Sequence, residues 1–530
     1  MSILFEHFKN IMFRSKKVTR IRYFLFSALT RVNLATIINL MSTSILQKRK
    51  LFLLDNPGLK AEDLSGEPKY KSKFLNKLND FGDRFLYSRF YFLLLTATIF
   101  LCWFFEFEAY GIVGIIFFAS IVLVMRKDTT PLIPIIFVVA MIFPRDIDPM
   151  NYSTLFYFLI PLPIAIVTHF IRFRTQLRVG KLFFPQLAVS IALLLGGIGT
   201  ISLEHYTTGL VYALLLGVAI LFFYFFFYLY ACPPKNVDFK NWIAHALNFI
   251  GILIVAQVIT RYVQEYEIHS RIGSGVSIGW GIANNYATIL LFSAGGSLYL
   301  ASKSKFSLLY ILSAVAQYVI IVISWSRGAT LFAAIILPLY LIAFFVGAPK
   351  KNRKFAYTSM IIVFIAFVVA IILYWDVIMQ LVDGVLAQGT GVSGRDKLYQ
   401  EAIDVFMENP IFGAGVGFDG DYYRQETMPM YWFHSTLFQI IGSTGILGII
   451  AYVWYYVARY RVMVRKHCSF SAFMLIGMLG FEGYSMIDTG TFVPLPIMFI
   501  VILMTLVIEL DNKAHPETFI DYKAIFKRKK

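Results

Sequence analysis

The chain has 530 residues, of which 58% are hydrophobic and only 15% charged, and its mean hydropathy is +0.68. That charge content is far below the roughly 25% usual in soluble domains. The net charge of +17 therefore reads as basic loops facing the cytoplasm and anionic lipid rather than as a nucleic-acid surface.

Apolar runs long enough to cross a hydrocarbon core of about 30 Å recur along the sequence. The alternating ten-residue pattern of a membrane barrel is missing from it. The predicted class is an all-α polytopic membrane protein with about fourteen transmembrane helices and one large, partly helical extracytoplasmic loop. Cys102, Cys232 and Cys468 are far apart in sequence and lack metal-ligand spacing, so neither a disulfide nor a zinc site is expected.

Residues 1–87 form a basic cytoplasmic or interfacial region. Met1 to Arg20 lacks the compact apolar core and cleavage site of a signal peptide. Lys16, Lys17, Arg20 and Arg22 precede Tyr23 to Leu46, an apolar stretch interrupted by Arg31 and Asn33. It reads as an amphipathic helix on the inner leaflet, with a short span as the alternative. Residues 55–83, with Pro57, Gly58, Gly66 and Pro68, read as a cytosolic linker.

Helices 1–11 are predicted within 88–375, at roughly 90–106, 108–125, 131–143, 154–171, 185–203, 208–231, 242–262, 279–301, 306–325, 328–347 and 356–375. The extracytoplasmic loop is 376–433. Helices 12–14 lie within 434–510, at roughly 434–458, 470–488 and 490–509, and 511–530 is a basic cytoplasmic tail. Basic residues cluster on alternate connections: Arg126-Lys127, Arg172 to Lys181, Lys235 and Lys240, Lys303 and Lys305, Lys350 to Lys354, and Arg459 to Lys466. The positive-inside rule makes these cytoplasmic and places both termini inside a bacterial cytoplasmic membrane. Neither an inverted repeat nor a broken midplane helix is visible.

The residues suited to chemistry fall on the opposite, outward side. Arg327, in Ser326-Arg327-Gly328, is pinned between two nearly touching spans. Its rigid donor fork suits phosphate oxygens, and lipid headgroup contact is the alternative. Arg395 opens a helical pattern with Leu398, Ala402, Val405 and Phe406 on one face, ended by Asn409-Pro410. A cation in a first turn opposes the helix dipole unless an anion is bound there, so Arg395 reads either as part of an anion site or as a tolerated surface residue.

Gly413-Ala414-Gly415-Val416-Gly417 lacks the strand, helix and acidic residue of a nucleotide loop and reads as a compact turn folding back on the membrane. His434 is a natural proton acceptor near neutral pH, or else a helix cap. Glu482 and Asp488 are membrane-embedded carboxylates that each need a partner, either an arginine or His434. Arg271, before the Gly- and Asn-rich stretch from Gly279 to Asn285, is a third outward arginine.

Three stretches, Ser326-Arg327-Gly328, Arg395 to Phe418, and His434 with Gly442 to Gly448, together resemble the O-antigen ligase and Wzy-type polymerase superfamily over residues 265–490. The resemblance implies a membrane glycosyltransferase of cell-envelope polysaccharide biosynthesis. Its donor would be an undecaprenyl-diphosphate-linked saccharide and its acceptor a second saccharide, with no metal or other cofactor. Arg327 and Arg395, with Arg271, would hold the diphosphate, and His434 would be the general base, with Glu482 or Asp488 in support. Ser435 stands where many relatives have Asn. Polysaccharide polymerase is the leading expectation, ahead of ligase or of a lipid-linked glycan flippase.

Overall fold

A computed structural model describes residues 73–143, 156–175, 179–198, 209–234, 236–265, 276, 278, 281–376, 379, 395–416, 432–488, 490–493, 495–514 and 520–521. All of them fall within one compact unit, 65–530, and a first unit, 1–64, lies outside the described residues. The predicted interfacial stretch Tyr23 to Leu46 and the basic end Lys527 to Lys530 are therefore not described.

The described chain is helical apart from one two-residue strand pair, Lys466–His467 with Ile520–Asp521. In order the helices are α1 (Lys73–Leu86), α2 (Arg89–Phe104), α3 (Glu108–Met125), α4 (Ile133–Val138), α5 (Phe156–Leu159), α6 (Pro161–Arg172), α7 (Phe183–Leu195), α8 (Ile220–Tyr230), α9 (Phe239–Gln264), α10 (Ala283–Lys303), α11 (Ser307–Ile323), α12 (Arg327–Gly347), α13 (Arg353–Leu373), α14 (Arg395–Glu408), α15 (Thr436–Arg465), α16 (Ser469–Ser485) and α17 (Leu495–Ala514).

The chain is a multi-pass membrane protein. Among the described residues six helical segments are long and apolar enough to cross a bilayer, among them 209–230, which joins a π-turn to α8. There are seven if α1 and α2, bent by 71° at their junction, count as one. Each remaining predicted span also holds a helical element, several of them shorter than a bilayer crossing needs. Residues 73–83, expected to be linker, instead form most of α1, a helix whose Leu78 and Phe81 are exposed.

The core is organised around α10, in which every residue from Tyr286 to Ser302 is buried. Small residues make that possible, because they let neighbouring helices approach closely. A Cβ on Gly295 would sit 2.5 Å from the Tyr340 hydroxyl, and one on Gly296 would sit 2.6 Å from Leu247. With no water available, the polar side chains of α10 satisfy one another across helices. Ser293 donates to Gln317 (2.6 Å), Gln317 donates to Ser297 (2.8 Å), and Ser297 donates to Asn248 (2.9 Å).

Two further expectations need correction. Arg459 was expected in a basic connection, but α15 runs on to Arg465 and buries Arg459 completely. Its guanidinium pairs with Glu482 of α16 and lies within 6 Å of the rings of Tyr455, Tyr456 and Tyr460. Counting basic residues cannot reveal a charge neutralised inside a span. Second, α15 is not a continuous span. It is broken at Gly445, whose backbone (φ 60°, ψ −155°) is not helical.

Removing one partner of the embedded ion pair strands a charge in a low-dielectric interior. Arg459→Met or Glu482→Leu alone is expected to cost about 3–5 kcal/mol. The double variant is expected to recover most of that loss, as read by thermal unfolding of detergent-purified protein.

Candidate functional site

The starts of α10, α12 and α15, the end of α16 and the helix α14 meet at one face of the bundle. The break in α15 shapes this face. A helix interrupted at Gly445 leaves backbone groups without intrahelical partners, which in a membrane must be satisfied by other protein groups. The segment after α14 supplies them. Ala414 N–H donates to Gly442 O (2.8 Å), Gly415 N–H to Ser443 O (2.9 Å), and Ile446 N–H to Pro410 O (2.8 Å).

The glycines expected to form a compact turn thus lay backbone against backbone. Gly413 and Gly415 both have positive φ, and a Cβ on Gly413 would come within 2.5 Å of Ser443 C. Leu398 and Ala402 of α14 then pack on Phe433, and Tyr399 stacks on Phe438 with ring centroids 4.3 Å apart.

This docking carries Arg395 and His434 to Asp488, a buried residue just past α16. Asp488 accepts hydrogen bonds from the Tyr484 hydroxyl (3.0 Å) and the Asn284 amide (3.1 Å). Its Oδ1 lies 3.4 Å from His434 Nδ1, and its Oδ2 lies 3.9 Å from Arg395 Nη2. Arg395 Nη1 also donates to the backbone carbonyl of Ile487. A carboxylate can only accept, so His434 Nδ1 must donate, which leaves Nε2 as the basic nitrogen. The His434 side chain is 46% exposed, so the ring is open to a reactant.

Tyr399 donates to the His434 carbonyl (3.3 Å). Burial raises the Tyr399 phenol above its ordinary value, opposed by Arg395, so it remains a neutral donor near pH 7.

Arg327 is the exposed first residue of α12. The preceding Ser326 hydrogen-bonds Tyr484, the same tyrosine that donates to Asp488. Gly328 lies against Tyr484 and Ile487. Arg327 is thereby anchored one residue away from the Asp488 network.

Two non-glycine residues here adopt left-handed backbone, Trp325 at φ 57° and His434 at φ 49°. Such conformations persist where surroundings over-determine them, commonly at functional sites.

The structure therefore brings Arg395, His434 and Asp488 together, with Arg327 alongside. Glu482 is not in this cluster and pairs with Arg459 instead. Arg271 lies outside the described residues. Asn284, Tyr399 and Tyr484 were not singled out from sequence. For Asn284 the Gly- and Asn-rich stretch was a usable signal, whereas the tyrosines carry no sequence mark.

The O-antigen ligase family profile matches residues 309–453, which include Arg327, Arg395 and His434. Residues 309–453 belong to the O-antigen ligase family. The chain is also similar to the O-antigen ligase of Escherichia coli (strain K12), with 20% identity over 299 residues that cover 52% of this chain and 68% of the relative. The matched family is one of membrane glycosyltransferase-like enzymes. Asp488 lies beyond the matched family segment, yet holds two of its polar side chains.

The break in α15 yields a direct test of the docking. A side chain at Gly445 would meet Pro410 O at 2.6 Å in a backbone region that L-residues avoid. Gly445→Ala is expected to cost about 1–3 kcal/mol and to speed proteolysis within 376–433. Gly114→Ala, where a Cβ meets nothing within 4 Å, is expected to change neither.

Proposed function

We propose that this enzyme transfers a glycan from an undecaprenyl-diphosphate-linked donor to a saccharide hydroxyl at the outer face of the cytoplasmic membrane, extending a polysaccharide. The observation that carries the reading is the His434–Asp488–Arg395 cluster, with Arg327 beside it. In this scheme the chain crosses the membrane about fourteen times, both termini are cytoplasmic, and residues 376–433 form the extracytoplasmic loop.

Arg327 and Arg395 hold the diphosphate. Arg271, the third arginine that the sequence reading places on the outward side, is a third candidate for this role. Guanidinium forks match phosphate oxygens and neutralise the charge that grows as the leaving group departs. The acceptor hydroxyl oxygen attacks the anomeric carbon from the side opposite the diphosphate. A new C–O bond forms as the C–O bond to phosphate breaks, and that electron pair leaves with the diphosphate. The hydroxyl proton passes to His434 Nε2, while Asp488 fixes the ring's tautomer and stabilises the imidazolium. The displacement inverts the anomeric centre and the sequence assigns no metal to it. Glu482, placed in support by sequence, acts through the embedded pair with Arg459 rather than at the site.

Ligase activity toward a different acceptor is the second reading, favoured by the similarity to the O-antigen ligase of E. coli. Purified protein in liposomes, given an undecaprenyl-diphosphate oligosaccharide and no added metal, separates the two. Polymerase activity releases undecaprenyl diphosphate and lengthens the lipid-linked glycan. A ligase releases it only when a second acceptor is supplied. Movement of intact donor between leaflets without cleavage contradicts both. Arg327→Ala, Arg395→Ala and His434→Ala are each expected to lower turnover by about 10²-fold or more with membrane insertion unchanged, read by single-turnover product formation.

A further inference from the structure

One residue of the Asp488 cluster joins the two halves of the proposed chemistry. Tyr484, in the last turn of α16, is only 3% exposed. Its hydroxyl donates to Asp488 Oδ2 (3.0 Å) and accepts from the Ser326 hydroxyl. A carboxylate can only accept, so the order of donation is fixed as Ser326 to Tyr484 to Asp488. Through its other oxygen Asp488 meets His434 Nδ1 (3.4 Å). A continuous series of polar contacts therefore runs from the residue before Arg327 to the imidazole.

Ser326 serves this series instead of its own helix. It is the N-cap of α12, a position where serine ordinarily accepts from first-turn amides, yet its side chain makes no cap bond. Trp325, just before it, is held at φ 57°. The Tyr484 ring makes a separate contact with the same turn. A Cβ on Gly328 would sit 2.8 Å from that ring, so the start of α12 lies directly against it. Phenylalanine would make the ring contact equally well. The specific contribution of the hydroxyl is the bridge between Ser326 and Asp488.

We infer that Tyr484 is a positioning residue that sets the spacing between the Arg327 end of α12 and the His434 base. The inference rests on the proposed glycan transfer, in which attack and departure occur on opposite sides of the anomeric carbon. That displacement needs the leaving-group cation and the base at one fixed separation, and a misplacement of about 1 Å can cost about 10²-fold in rate. Arg327 and His434 belong to different helices, and the Tyr484 hydroxyl ties their supports together. Tyr484 acts through Ser326 and Asp488 and so bears on the chemical step rather than on donor binding.

The test measures glycan transfer by the full chain in liposomes, supplied with the lipid-linked oligosaccharide and a second saccharide acceptor, with kcat and donor KM determined separately. Tyr484→Phe is expected to lower kcat about tenfold or more with donor KM unchanged. Ser326→Ala, which keeps the tyrosine, is also expected to lower kcat. The double variant is expected to be no slower than Tyr484→Phe alone, because both changes break one bridge. Tyr340→Phe removes a comparably buried hydroxyl, bonded to Leu291 O (3.2 Å), and is expected to leave kcat unchanged. Full kcat in Tyr484→Phe or in Ser326→Ala, losses that multiply in the double variant, a loss confined to KM, or an equal loss in Tyr340→Phe overturns the inference. Any of these results with His434→Ala and Arg327→Ala inactive leaves the transfer reading standing. Full activity in those two variants overturns that reading and this inference with it.

Discussion

The Asp488 carboxylate is the interaction on which the site depends. It gathers side chains from four places in the sequence: Asn284 at the start of α10, Arg395 at the start of α14, His434 before α15 and Tyr484 in α16. A buried carboxylate is costly without partners, so its position and its ligands define one another. The resulting geometry orients one face of an imidazole and sets an arginine beside it. General-base chemistry next to an anionic leaving group requires that combination.

A helix break makes this gathering possible. An unbroken α15 would satisfy its own carbonyls and offer nothing to a docking loop. The interruption at Gly445 frees backbone groups, and Pro410, Ala414 and Gly415 bind the segment across it. Broken helices often line transport sites. Here the break is closed by protein backbone, and its role is to seat α14 over the bundle. The Arg459–Glu482 pair bears on the same region at greater depth: Tyr456 reaches Thr491, whose N–H donates to Thr436, two residues after His434.

Much of this was legible in the sequence. Apolar run length identified the helices because hydrocarbon thickness is a strict ruler. Arg327, Arg395, His434 and Asp488 stood out because fixed charge and imidazole are rare near membrane-spanning segments. Pairings were not legible. Asp488 and Glu482 look alike in sequence, and only the packing of α16 turns one toward His434 and the other toward Arg459. The break at Gly445 was hidden because glycine is common in membrane helices, and the helix at 73–83 was hidden by its charge. Tyr399 and Tyr484 act through single hydroxyls that no spacing rule can assign.

The central claim is that Asp488 and His434 act as one unit. A double-mutant cycle on single-turnover glycan transfer, pairing Asp488→Asn with His434→Gln, measures it most directly. The account predicts a large loss from each single variant and a double variant scarcely worse than His434→Gln alone, because the carboxylate has no catalytic role without the ring it orients. Losses that multiply independently, or full activity in Asp488→Asn, would contradict it.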